Sequence, residues 1–211
     1  LGAAREAKPA AENNAEPIVK TLLSGSGQDT GGVLSPDESK VAYVDYSPVS
    51  GDLTVKNLKT GESAKLTSHD TNRTYGYEEA LNQVWSPDSK WIAYWFQDST
   101  NNVSVNIAPA GGGPGKILKS NTEMFYFPFD WSWDGKSLLC KLQRRSDASL
   151  ALGIISTESG EVRQLLSLGW NAVGHARFSP DGKFIAYDRK ENGNRDIYVL
   201  DKLTYAGNLD N

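Results

Sequence analysis

Four nearly identical phrases recur along the chain: Leu34-Ser35-Pro36-Asp37, Trp85-Ser86-Pro87-Asp88, Trp131-Ser132-Trp133-Asp134 and Phe178-Ser179-Pro180-Asp181. Seven residues after each Ser stand Ala42, Ala93, Leu139 and Ala186, preceded by Val41, Ile92, Leu138 and Ile185 and followed by Tyr43, Tyr94, Cys140 and Tyr187. The Ser-to-Ser steps are 51, 46 and 47 residues. A period of this size means one supersecondary unit used repeatedly, because one unit cannot bury its own apolar faces.

The fourth copy shows what the unit contains. Pro180-Asp181-Gly182-Lys183 is a turn: Pro presets φ, Asp can bond its own backbone, and Gly tolerates positive φ. Phe184-Ile185-Ala186-Tyr187 is an apolar run of strand length, and Asp196-Ile197-Tyr198-Val199-Leu200 is another after a polar loop around Gly193. Leu53 to Leu58, Lys59-Thr60-Gly61-Glu62 and Ala64-Lys65-Leu66-Thr67 add a strand, a turn and a fourth strand; Ile154 to Ser167 repeats them. Each unit therefore holds four strands, a to d, and no segment carries helical spacing over a helical length. The expected fold is all-β: a β-propeller of four-stranded antiparallel blades, about four in this chain. The b strands are apolar on both faces, as in Trp91-Ile92-Ala93-Tyr94-Trp95-Phe96, which suits sheets stacked between two neighbours. The recurring Ala predicts a place where neighbouring sheets approach closely.

Residues 1–17, rich in Ala, Glu, Asn and Pro, read as a linker or tail, and residues 18–211 as the propeller domain. The repeats fall at about 31–68, 80–120, 128–168 and 174–202. Val19 to Ser24, in the expected strand 18–23 and the residue after it, match the d strand at Val162 to Ser167, while the fourth unit has no clear d strand of its own. The early segment is expected to complete that last blade. This would close a four-bladed ring; a fragment of a six- to eight-bladed propeller is the rival arrangement.

Ser179 to Tyr187, Ile197 to Asp201, Thr60-Gly61-Glu62 and Leu66-Thr67 together resemble the TolB-like propeller repeat, from about Glu16 to Asp201. The resemblance implies a propeller fold. It also implies two kinds of role: protein binding, as in periplasmic TolB, or the propeller of a prolyl-oligopeptidase-type serine peptidase. The third copy departs, with Trp133 for Pro, Leu139 for Ala and Cys140 for Tyr, and this predicts looser packing in that blade.

A net charge of −4 argues against nucleic acid as the main partner, which usually needs a basic face. No apolar run reaches the ~18 residues of a membrane span. The single cysteine, Cys140, sits in a column that is otherwise Tyr and reads as a small buried apolar group. No Gly-x-Ser-x-Gly elbow occurs, so this chain holds no α/β-hydrolase nucleophile of that kind. Gly111 to Lys116 lacks the spacing and the Ser or Thr of a phosphate loop and reads as a c-to-d turn. His69 and His175 lie in different repeats without zinc-type partners. The four Asp of the repeated phrase read as turn chemistry. No catalytic residue, metal site or cofactor is expected.

In a propeller the d-to-a and b-to-c loops share one face, opposite the Ser-Pro-Asp turns. The longest d-to-a loop, Ser68 to Ala80, carries Arg73, Tyr75, Tyr77, Glu78 and Glu79; the next carries Phe125 and Tyr126, and the third Trp170. Tyr, Trp and Arg dominate binding hot spots, so these eight residues are the candidate recognition surface. Plugging of the channel by Phe125 and its neighbour Phe127 is the alternative. Tyr77-Glu78-Glu79 is also similar to the Tyr-Glu-Glu segment of dipeptidyl-peptidase propellers, which implies a carboxylate pair for a substrate's amino terminus. The expected function is a non-catalytic scaffold for a protein or peptide partner, periplasmic or secreted. The alternatives are a substrate-gating propeller of a serine peptidase or a glycan-binding propeller.

Overall fold

The computed structural model describes residues 30–46, 51–68, 79–98 and 100–201, all strands, turns and loops with no helix among them. Blade 1 contains β1 (Thr30–Leu34), β2 (Lys40–Asp45), β3 (Asp52–Asn57) and β4 (Ser63–Lys65). Blade 2 contains β5 (Glu79–Trp85), β6 (Trp91–Gln97), β7 (Val103–Pro109) and β8 (Lys116–Ser120). Blade 3 contains β9 (Met124–Trp131), β10 (Ser137–Arg144), β11 (Leu150–Ser156) and β12 (Val162–Gly169). Blade 4 shows three strands: β13 (Ala176–Phe178), β14 (Phe184–Glu191) and β15 (Asn194–Asp201). Every sheet is a neighbour-to-neighbour antiparallel meander. The expected strand at 18–23 and the linker at 1–17 lie outside the described residues.

The repeated phrase builds the same corner four times. Ser35, Ser86, Ser132 and Ser179 each donate through Oγ to the carboxylate two residues on, at 2.6–2.7 Å. Each Oγ also accepts the amide five residues on, of Lys40, Trp91, Ser137 and Phe184, at 2.9 Å. The residue three after each Ser has positive φ: Glu38 at 58°, Ser89 at 59°, Gly135 at 73° and Gly182 at 66°. Side chain and backbone thus fix the chain reversal that turns strand a into strand b.

Alternation along each b strand sends one set of side chains backward and one forward. Ala42, Leu53 and Val55 of blade 1 pack with Ile92, Tyr94 and Ala108 of blade 2. Ala93, Val105 and Ile107 of blade 2 pack with Leu138, Cys140 and Ile155 of blade 3. Leu139 and Leu152 of blade 3 pack with Ile185 and Tyr187 of blade 4. The core therefore consists of three layers between sheets, and each fully buried Leu or Ile contributes roughly 1.5–3 kcal/mol. Ala42 and Ala93 sit in the forward layers, as their small size predicts.

The expected looseness of blade 3 is not found: Leu138, Leu139 and Cys140 are all fully buried. Cys140 faces Gly153 across the β10–β11 pair. A Cβ on Gly153 would stand 2.6 Å from Leu142 Cδ1, so Leu142 occupies the room that Cys140 and Gly153 leave. Burial in this apolar layer pushes the Cys140 thiol well above the usual range and keeps it uncharged.

Blades are joined at their first strands. β1, β5, β9 and β13 lie side by side in that order. Gln83 donates through Nε2 to the Gly31 carbonyl, and Trp85 Nε1 donates to Val33 O at 3.0 Å. Between blades 3 and 4, Asp130 Oδ2 accepts the Phe178 amide at 2.8 Å, and Arg177 donates to Phe129 O at 2.7 Å.

Candidate functional site

Three concave or aromatic surfaces emerge from this framework. The first is the loop face. Trp170, in the β12–β13 loop, donates through Nε1 to the Asp147 carbonyl in the β10–β11 loop at 2.9 Å. The Arg145 amide donates to Glu123 O at 2.9 Å. These bonds bring d-to-a and b-to-c loops together, as the blade geometry predicts. Trp170 as a residue is 77% exposed although its indole nitrogen is fixed. Arg145 stacks over Phe125 at 4.2 Å from the ring centroid, and Phe125 meets Phe127 at 6.1 Å. Phe127 in turn stacks on Trp95 of blade 2 at 5.7 Å, with Lys141 Nζ 4.2 Å above it. Burial holds the Lys141 ammonium below its usual range. Asp147 is held below the usual carboxylate range by the Ser149 amide and hydroxyl, and it pairs with Arg144 at 3.6 Å.

Of the eight residues singled out from the sequence, Arg73, Tyr75, Tyr77 and Glu78 lie outside the described residues, as does His69. Glu79 opens β5, its backbone opposite Gln97. Phe125 is half-buried and Trp170 exposed. Tyr126 is buried in the layer between blades 2 and 3, because it alternates with Phe125 along β9 and points the other way. Arg145 and Asp147 were missed by sequence reasoning. They lie in a short polar loop, where the only available signal was its neighbourhood to an aromatic d-to-a loop.

The second surface is a cavity of about 150 Å³ among the first strands of blades 2 to 4, lined by Asn82, Gln83, Phe129, His175 and Arg177 among others. A β-bulge lies between Leu81 and Val84, and Asn82 within it has a positive φ of 53°. His175 Nδ1 lies 3.3 Å from Asp188 Oδ2. Asp188 Oδ1 accepts the Gly174 amide and Arg195, both at 2.6 Å. Burial raises the Asp188 pKa, but the Gly174 amide, His175 and Arg195 outweigh it and leave the carboxyl below its usual range. A carboxylate behind an imidazole can orient a general base. Here the pair ties the β13 entry loop to β14, and His175 is 86% exposed.

The third surface is a cavity of about 340 Å³ between the Ser-x-Asp corners of blades 3 and 4. Trp133, 60% exposed, lines it with Asp134, Arg163, Phe178 and Asp181. Trp133 stands where the other corners carry Pro. That substitution was legible in the sequence as a departure but not as a cavity wall. Among the described residues, no three His, Cys, Asp or Glu side chains gather where a metal ion could be held.

No protein-family model matches the sequence, and no curated protein matches it. Solved structures do. The chain is similar to a putative TolB from Agrobacterium tumefaciens, with 18% identity and a TM-score of 0.66 over 86% of this chain and 61% of that one. It is similar to TolB from Acinetobacter baumannii, with 22% identity and a TM-score of 0.68 over 88% and 44%. It also matches a puromycin-hydrolyzing peptidase of Mycobacterium tuberculosis, with 14% identity and a TM-score of 0.66 over 87% and 29%. The chain thus spans less than two thirds of the length of each. Four stacked antiparallel meanders, joined at their first strands and matched over most of their length, give this chain the TolB-like β-propeller fold.

Proposed function

We propose that the chain is a non-catalytic scaffold that binds a protein or peptide partner, periplasmic or secreted, through the face formed by its d-to-a and b-to-c loops. The observation that carries this reading is Trp170. A large aromatic ring is held by a 2.9 Å hydrogen bond and still presents most of its surface to solvent. Such a ring loses little rotamer freedom on binding, which is why Trp dominates interface energetics. Arg145 stacked on Phe125 extends the same face with a cation and a second aromatic.

The test is a peptide library panned on the immobilised chain. Selected peptides should bind the Trp170→Ala variant more weakly by about 1 kcal/mol or more. They should bind Glu62→Ala and Glu161→Ala, in the c-to-d turns of the opposite face, unchanged. Equal losses at Glu62 and Glu161 would move the site to the turn face, and turnover of chromogenic peptide or ester substrates by the purified chain would reject the scaffold reading. A second reading, a propeller that gates access to a hydrolase domain, is favoured by the likeness to the puromycin-hydrolyzing peptidase, of whose length the chain covers 29%.

A further inference from the structure

Trp133 is not required by the turn it occupies. Ser132 donates to the carboxylate two residues on at 2.7 Å and accepts the amide five residues on at 2.9 Å. Ser35, Ser86 and Ser179 make the same two bonds with Pro as the next residue. The corner forms with either residue and does not account for the indole. Trp85, Trp131 and Trp170 each donate the indole N–H to a backbone carbonyl. That of Trp133 bonds no described residue, and Trp133 stands 60% exposed in the wall of the cavity between the corners of blades 3 and 4. Gly182 lines the same cavity. At its position in the corner blade 2 carries Ser89, whose Oγ accepts the Asp37 amide at 3.1 Å and closes corner 2 on corner 1. Gly182 has no side chain to close corner 4 on Asp134, and nothing lies within 4 Å of a Cβ placed there.

The charges around this cavity balance. Asp134 and Asp181 each hold their own corner through Oδ1, which accepts the Ser hydroxyl and the amide of Lys136 or Lys183. Arg163 joins them in the wall, and Lys183 Nζ lies 3.3 Å from Asp181 Oδ2. Two carboxylates therefore stand beside one guanidinium and one ammonium. A carboxylate offers about four lone-pair sites and a guanidinium five N–H donors, so their corner contacts leave these groups able to meet a ligand.

We propose that this cavity binds a neutral saccharide, with one apolar face of a pyranose ring on the Trp133 indole and the ring hydroxyls on Asp134, Asp181 and Arg163. Charge and shape choose that class. An anion would meet two carboxylates, and a cation would meet Arg163 and Lys183. A wholly apolar ligand would strip water from charged walls without replacing its hydrogen bonds. A sugar carries hydroxyls that both donate and accept, around a ring whose C–H face suits the electron-rich face of an indole. The volume of about 340 Å³ lies in the range of small-molecule sites, which begins at roughly 300 Å³. The site sits on the turn face and is independent of the partner surface around Trp170.

The test is isothermal titration calorimetry of the full chain with neutral trisaccharides of glucose, mannose, galactose and N-acetylglucosamine. Trigalacturonate and trilysine serve as charged counterparts. At least one neutral trisaccharide should bind with a Kd in the millimolar range or below, and more tightly than either charged probe. Trp133→Pro restores the residue of the other three corners, and Trp133→Leu keeps apolar volume without an aromatic face. Both should weaken that binding roughly tenfold or more, while Trp133→Phe should retain part of it. Trp170→Ala should leave it unchanged; a loss there would place the sugar on the loop face and overturn the assignment. Absence of binding by all four neutral probes would overturn the inference. So would unweakened binding in either Trp133→Pro or Trp133→Leu, or tighter binding of a charged probe through Trp133.

Discussion

Two residues in the repeated corner have the same backbone and opposite expectations. Glu38 and Ser89 both sit at φ near 60°, where the third and fourth copies place Gly135 and Gly182. The left-handed region costs an L-residue roughly 1 kcal/mol, while Gly enters it freely. Glu38→Gly should therefore stabilise the chain by up to about 1 kcal/mol in denaturant unfolding. Ser89→Gly should not show this gain, because Ser89 Oγ accepts the Asp37 amide at 3.1 Å and joins the corners of blades 1 and 2. Equal gains at both sites would show that the bond contributes nothing. The corner carboxylates set a second expectation. Asp37, Asp88 and Asp181 are all held below the usual carboxylate range, first by the hydroxyl of the Ser two residues earlier. For Asp181 the value falls to about 2, from 3.8. Folded values below unfolded ones mean stability that is present above pH 3.8 and is lost as pH falls toward 2. Thermal melts between pH 6 and pH 2 should show Tm falling mainly below pH 4. Asp181→Asn, whose amide oxygen still accepts but does not titrate, should make that fall shallower; an unchanged slope would reject the assignment.

Among elements, the c-to-d turns look interchangeable in the sequence and are not. Gly61 and Gly160 have φ of 78° and 70° in corresponding Thr-Gly-Glu and Ser-Gly-Glu turns. Nothing lies within 4 Å of a Cβ on Gly61, whereas one on Gly160 would stand 2.3 Å from the Leu118 carbonyl oxygen of β8. Gly61→Ala should thus cost only the strain of its φ, about 1 kcal/mol. Gly160→Ala should cost clearly more, because turn and neighbouring blade must separate. Equal midpoints for the two variants would mean that blades 2 and 3 do not meet there. This contrast marks the boundary of what the sequence carries. The Ser-x-Asp corners, the strand runs and the Gly111 to Gly115 turn were legible because they rest on local rules: preset φ, a carboxylate reaching its own backbone, and alternation. Tyr126, expected on the loop face with Phe125, is buried instead, because a strand sends neighbouring side chains to opposite faces. The close fit of Cys140, Gly153 and Leu142, the His175 cavity and the Trp133 cavity arise from contacts across strands and blades, and no single segment encodes them. The Asp147 carbonyl that holds Trp170 belongs to a residue 23 positions away, and such a bond leaves no mark on composition or period.

For the whole molecule, stacked repeats make stability a sum of blade terms and neighbour terms, so blades need not open together. Blades 2 and 3 are covered on both faces by the layers between sheets. Blade 4 has one covered face, three described strands and an exposed outer surface around Ile197 and Val199. Its link to blade 3 rests on Ile185 and Tyr187 in the shared layer and on the bonds from Arg177 and Phe178 to the Phe129–Asp130 segment. Hydrogen exchange should therefore release the amides of β14 and β15 first and those of β6, β7, β10 and β11 last, at rates set by global unfolding. Two truncations separate local opening from global loss. Leu138→Ala removes a fully buried side chain between blades 2 and 3 and should lower global stability by about 2–5 kcal/mol, speeding exchange throughout. Ile185→Ala removes one of similar size between blades 3 and 4 and should speed exchange mainly in β13, β14 and β15, leaving β6 and β7 close to their original rates. Uniform acceleration by Ile185→Ala would mean that the four blades unfold as one unit, and that the uncovered sheet is held as firmly as the covered ones.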